Sequence, residues 1–435
     1  MRKITSFLCI FLYACNLVNA QPDPNNKMEW FEGARLGIFI HWGIYAVDGV
    51  SESWSFHNGR ISHQDYMKQI DRFTASNYDP AMWAQLIKES GARYAVITSK
   101  HHDGVSLWDT KQNNLSIPSS SPAKRDVLSP FIAELRNEGI KTGVYFSLID
   151  WTSRDYPGFL RDKTKYDLKE HPEKWEAFSK FNKGQISELL HLINPDLWWF
   201  DGDWEHSAEE WNAPEIRQMI LAHNPLSIIN GRLAGYGDYD TPEQNIPIDI
   251  PQKPWELCLT MNTSWGYQQK DTVYKTPEEL ITILSEITGK GGNLLLDIGP
   301  KEDGTIPPEQ VHILKELGKW TSKHENAIFN TKAGIPEGHF HGPTSISADS
   351  TVLYLFTDDR SDILIKGLTN KIKKATVVGT NTELPVKVVG KISWSPVPGL
   401  IFMDVPANAQ DEYLTVVKLE LEGPVKLYRG KGGFN

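Results

Sequence analysis

Two rhythms of apolar residues alternate along the chain from Trp30 to Trp320. Short, continuous apolar runs suit buried strands. Between them lie stretches whose apolar positions return every three or four residues, as on the buried face of a helix. Leu36-Gly-Ile-Phe-Ile40, Tyr94–Ser99, Lys141–Ser147, Leu197–Phe200, Leu226–Asn230, Trp255–Met261 and Asn293–Ile298 read as strands. Helical spacing follows Asp79-Pro80 through Met82, Trp83, Leu86 and Ile87 to Gly91, and Asp126 through Phe131, Ile132 and Leu135 to Gly139. It recurs in the long stripe Trp175, Phe178, Phe181, Ile186, Leu189 and Leu190, and in Pro214–His223, Thr276–Gly289 and Pro307–Trp320. Pro in the first turn and Gly just past the last are the expected punctuation.

Strand and helix alternate at least seven times, which predicts a parallel sheet with helical crossovers. The length favours a (β/α)8-like barrel, with room for irregularity because eight units cannot all be assigned. No Gly-x-Gly-x-x-Gly opens a helix, which disfavours a dinucleotide fold. From about Phe340 the texture changes to short β-rich runs: Thr351–Phe356, Asp362–Ile365, Ala375–Val378, Val386–Val389, Gly399–Met403 and Leu414–Leu421. These predict a small C-terminal β-sandwich. The expected boundaries are a leader over 1–20, the barrel over 21–335 and the sandwich over 336–435.

Arg2 and Lys3, the apolar run Ile4–Ala14 and the small-residue site Val18-Asn19-Ala20 read as a secretory signal peptide. Export to a periplasm or to the medium is the expectation. Leu12-Tyr-Ala-Cys15 is a weak lipobox, spoiled by Tyr13, and makes lipidation at Cys15 a lesser alternative. Cys9 and Cys15 fall within that leader. Cleavage after Ala20 leaves Cys258 alone, so no internal disulfide is expected. The formal charge is −10, and the leader contributes Arg2 and Lys3 to it. This acidic balance disfavours nucleic acid or an anionic membrane as partner. The chain has 15 Trp residues, which either fill a core or stack on sugar faces.

In a parallel barrel the chemistry sits just after the strands. His41, His101-His102-Asp103, Tyr145, Asp201, Arg232 and Glu256 each follow or end an apolar run. Zinc needs three suitably spaced ligands, whereas His101 and His102 are neighbours expected on opposite faces of a strand. No Gly-x-Ser-x-Gly elbow offers a serine nucleophile. Carboxylates, imidazoles, an Arg and aromatics remain, the inventory of a retaining glycosidase.

Gly37-Ile-Phe-Ile-His-Trp-Gly43, Lys100-His-His-Asp-Gly104, Asp150-Trp151, Trp199-Phe-Asp-Gly202, Trp265-Gly-Tyr267 and Asn293-Leu-Leu-Leu-Asp-Ile-Gly-Pro300 resemble the α-L-fucosidases of glycoside hydrolase family 29. The resemblance runs from about Trp30 to Trp320. It implies a retaining exo-glycosidase that releases terminal L-fucose from fucosylated oligosaccharides or glycoconjugates, with no metal or organic cofactor. It implies Asp201 as nucleophile, with Asp203 and Glu205 as competitors. Glu256 in Pro-Trp-Glu is the implied acid/base and Glu243 the second choice. His41, His101, His102, Tyr145, Trp199 and Arg232 would contact the sugar. Trp265 would line the pocket near the fucose methyl group, and Trp54 belongs to the same set. Many members carry Glu-Trp where this chain has Ser53-Trp54, which leaves open whether Glu52 takes over that contact. The rival readings are a retaining α-L-galactosidase and a secreted glycan-binding protein on a dead barrel.

Overall fold

The computed structural model describes residues 24–358 and 363–430. The expected leader, with Cys9 and Cys15, lies outside the described residues. Seven parallel strands form one curled sheet: β1 (Leu36–Ile40), β2 (Tyr94–Lys100), β3 (Lys141–Ser147), β4 (Leu197–Asp201), β5 (Ile228–Ile229), β6 (Glu256–Thr260) and β7 (Asn293–Ile298). Their order is β5-β4-β3-β2-β1-β7-β6. The helices Pro80–Glu89, Ser129–Asn137, Pro172–Leu192, Ala213–His223, Pro277–Gly289 and Pro308–Lys323 run between and after them. The first begins under Asp79, whose side chain accepts from the Ala81 and Met82 amides. The fifth opens on a capping box between Thr276 and Glu279.

Alternation along each strand sorts the side chains. Phe39, Val96, Tyr145, Leu197, Trp199, Cys258 and Leu295 meet inside the barrel. Ile38, Ile40, Ile97, Val144, Phe146, Trp198 and Phe200 point outward into the core shared with the helices. Gly37 is required here, because a Cβ would lie 2.3 Å from the Tyr94 ring.

The irregularity falls between β5 and β6. Neither edge strand pairs with the other, and residues 239–243 stand between them. Tyr239 bridges to Asn230, Asp240 to Trp255 and Glu243 to Cys258, all in parallel sense. This stretch closes the cylinder as a frayed eighth stave. The periodicity did not reveal it, because Asp-Thr-Pro-Glu carries no apolar rhythm and Pro242 has no N–H for a ladder.

The C-terminal region holds two antiparallel sheets, one of five strands and one of three. Leu353, Leu355, Val417 and Leu419 of the larger sheet share a core with Ile363, Ile365, Ile401 and Met403 of the smaller. The other face of the larger sheet, with Phe356 and Val416, joins the barrel's helical core. Trp320 of the last barrel helix donates its indole N–H to the Leu414 carbonyl at 2.9 Å. The first C-terminal strand, Lys332–Ala333, begins slightly before the expected boundary. Among the described residues no helix is long and apolar enough to cross a membrane.

Candidate active site

Asp201 ends β4 at the mouth of the barrel and is 8% exposed. Gly202 follows at φ +88°, where a Cβ would strike Ile149 at 2.7 Å. This left-handed turn ends the strand and leaves the carboxylate at the rim. Two donors hold it: the Tyr145 hydroxyl at 2.9 Å to Oδ2 and the Arg232 guanidinium at 3.1 Å to Oδ1.

Three imidazoles cluster at this mouth, His102 next to the carboxylate, His101 against His102 and His41 beyond His101. His41 Nδ1 lies 2.7 Å from Asp297 Oδ1 on β7. Burial drives Asp297 well above the usual carboxylate range and His41 well below the usual imidazole range. His101 Nδ1 lies 2.7 Å from Ser53 Oγ, and its ring stacks on Tyr145. The expectation that His101 and His102 face opposite ways is not met. The strand stops at Lys100, and the turn that follows brings both rings to the same place, with centroids 4.4 Å apart.

His102 has a defined tautomer. Burial, chiefly, holds its pKa down at about 3, so the ring is neutral. Ser147 Oγ donates to the Ile149 carbonyl at 2.6 Å, so its hydrogen is already committed. Ser147 Oγ can then only accept from His102 Nδ1, 2.6 Å away. Nε2 is therefore a bare acceptor. It is buried without a hydrogen-bond partner, 3.6 Å from Asp201 Oδ2. A buried acceptor in that state needs a donor.

Arg232 joins two carboxylates. While one nitrogen bonds Asp201, Nη2 bonds Glu243 Oε2 at 2.7 Å. Nε donates to Thr241 Oγ1, and the guanidinium lies 4.7 Å over the Trp199 ring. Glu243 is thus at the rim beside Asp201, with its side chain 40% exposed.

Glu256, the first expectation for the acid/base, is not at the rim. It begins β6 rather than ending it, and it is completely buried. Tyr94 donates to Oε2 at 2.5 Å and the Trp199 indole to Oε1 at 2.9 Å. Tyr94 itself starts β2. Glu256 therefore lies in the floor layer, with the Trp199 ring between it and the mouth. Burial pushes its pKa up to about 7, against the pull of the two donors.

Trp54 and Trp265 are half-buried walls. Trp54 packs edge-on to His102 at 5.5 Å, and Trp265 lies 5.0 Å from His41. The open question about Ser53-Trp54 has a structural answer. Ser53 steadies His101, while buried Glu52 accepts the Gly266 amide at 2.7 Å and so pins the loop that carries Trp265. The competitors of Asp201 are occupied elsewhere. Asp203 accepts the Ala234 amide at 2.9 Å, and Glu205 is held by Trp151 and Tyr156. Sequence reasoning missed Asp297, Ser147 and Ser53 as supports of the three histidines. Only Asp297 gave a signal, as a charge inside the apolar run Leu294–Ile298.

Comparison with known proteins agrees with this geometry. The sequence profile of the family described as Alpha-L-fucosidase matches residues 16–326. An α-L-fucosidase of Branchiostoma floridae is 32% identical over 71% of this chain and 74% of its own length. The structure of α-L-fucosidase isoenzyme 1 from Paenibacillus thiaminolyticus superposes with a TM-score of 0.83 at 32% identity, covering 92% of this chain and 99% of that one. A family 29 α-L-fucosidase of Bacteroides thetaiotaomicron, solved as a trapped covalent intermediate in a Glu-to-Gln mutant, gives a TM-score of 0.82 at 26% identity. That match covers 93% of this chain and 97% of its own. With the motifs, the barrel and the cluster at its mouth in agreement, this chain belongs to the α-L-fucosidases of glycoside hydrolase family 29 and is a retaining glycoside hydrolase.

Proposed function

We propose that Asp201 is the nucleophile and Glu243 the general acid and base of a double displacement at a terminal α-L-fucosyl unit. The observation that carries this assignment is the guanidinium of Arg232, which binds both carboxylates at the rim. Asp201 attacks C1 while Glu243 protonates the departing oxygen. Glu243 then takes a proton from water as that water opens the fucosyl ester on Asp201. Two inversions at C1 give net retention. His102 Nε2 accepts a sugar hydroxyl, and His41, His101 and Tyr145 lie close enough to share the others. Trp265 offers an apolar wall for the C5 methyl group.

A 2-fluoro-fucosyl fluoride tests the assignment. The 2-fluorine slows both steps, and the fluoride leaving group makes the first independent of the acid. On the Glu243→Gln variant, mass spectrometry should find one added fluorofucosyl group, and the labelled peptide should carry it on Asp201. A label on Asp203 or Glu205 would overturn the assignment.

The substrates fitting this site are fucosylated oligosaccharides or glycoconjugates. Export fits the basic, apolar and small-residue pattern over 1–20. Expression in a host with a secretion pathway, followed by N-terminal sequencing, should give Gln21 as the first residue. An intact Met1 would refute it.

A further inference from the structure

One exposed aromatic residue near the mouth has no part in the mechanism above. Trp204 is 54% exposed, yet it is not loosely held. It sits on the 3-10 turn Asp203–Glu205, and both neighbours are pinned. Asp203 is tied to the Ala234 amide, and Glu205 to the Trp151 indole and the Tyr156 hydroxyl. The Trp204 ring stacks on Trp54 at 6.2 Å and 18°, and meets His102 edge-on at 5.8 Å. It therefore continues the wall of the sugar site outward.

Beyond it lies a groove of about 660 Å³, bounded by Trp204, His57, His206 and the hairpin 158–164. The hairpin is also anchored. His57 Nδ1 meets the Phe159 carbonyl at 3.2 Å, and the Arg161 amide donates to the His57 carbonyl at 3.0 Å. His57 in turn stacks flat on Trp151 at 3.8 Å. A fixed, exposed indole face flanked by Phe159, Arg161 and Lys163 matches the chemistry of a pyranose, with one apolar side and hydroxyls around its edge.

We propose that Trp204 and the hairpin 158–164 form a second sugar subsite that takes the glycan ring from which the fucose is removed. The inference rests on the fucosidase reading of the mouth. It assigns selectivity for the leaving sugar to two segments outside the catalytic cluster. α-L-Fucosyl fluoride has no second ring and cannot use the subsite, whereas a fucosylated trisaccharide can.

Trp204→Ala and Phe159→Ala should each leave kcat/KM for the fluoride within about twofold. Each should lower kcat/KM for the trisaccharide about tenfold, chiefly through KM, which corresponds to about 1.4 kcal/mol of lost binding. Turnover of the fluoride also shows that each variant has folded. Equal losses on both substrates, or no loss on the trisaccharide, would overturn the subsite. If the parent enzyme hydrolysed neither substrate, the fucosidase reading itself would fail, which is a distinguishable result.

Discussion

The two ends of the barrel interior hold similar groups in opposite states. At the floor, Glu256 is closed in by Tyr94 and Trp199 and has no exposed surface. At the mouth, Asp201 and Glu243 share one guanidinium and keep a path to solvent. Trp199 separates the layers, with its N–H directed to the floor and its face turned to Arg232. A carboxylate with a raised pKa is thus not by itself a catalytic acid. Glu256 has its pKa pushed up to about 7 by burial, yet it has no surface open to the mouth.

Substitutions can break this contrast. The largest effect belongs to Asp201→Ala, which should lower kcat by at least about 10³-fold even with a good leaving group. An activated aryl fucoside assayed at saturation gives the answer, and activity near that of the parent would remove Asp201 from the chemistry. Glu243→Gln comes next. It should cost about 10²-fold or more with a sugar leaving group but much less in the first step with an activated phenol, which needs no proton. A series of aryl fucosides of rising phenol pKa should therefore show a steeper dependence of kcat/KM in the variant. Equal slopes would remove Glu243 from the acid role.

Glu256→Gln should have the smallest effect on turnover, within about tenfold, and a clear effect on stability. Burial raises both Glu256 and Glu52 from 4.5 to about 7 in the folded chain. Between those values the folded state binds more protons than the unfolded one, so stability falls as pH rises through the window. Each group contributes up to about 3 kcal/mol to that fall. Urea midpoints at pH 5 and pH 7.5 should lie closer together in Glu256→Gln than in the parent, and an unchanged gap would contradict the buried-acid account.

The legibility of the sequence follows the same division. Asp201, His41 and His102 were readable because each stands just past a continuous apolar run, where a parallel barrel opens. Glu256 looked equivalent from its Pro-Trp-Glu surroundings, but its apolar run, Leu257–Leu259, comes after it. By the same directional rule it belongs to the floor. Glu243 was legible only as a second choice, because its stave is held by isolated bridges and has no hydrophobic rhythm. The hairpin 158–164 escaped for a related reason: its order comes from His57, far away in the chain, whose ring is held flat on Trp151.

Chemical rescue by azide tests the central claim most directly. In Glu243→Ala, azide should restore turnover of an activated aryl fucoside. The product should be the α-fucosyl azide, because azide enters the face that the leaving group vacated while fucose is still bonded to Asp201. Glu256→Ala should show no rescue. Azide rescue with an α product in Glu256→Ala, and none in Glu243→Ala, would place the acid/base at the floor and contradict the account.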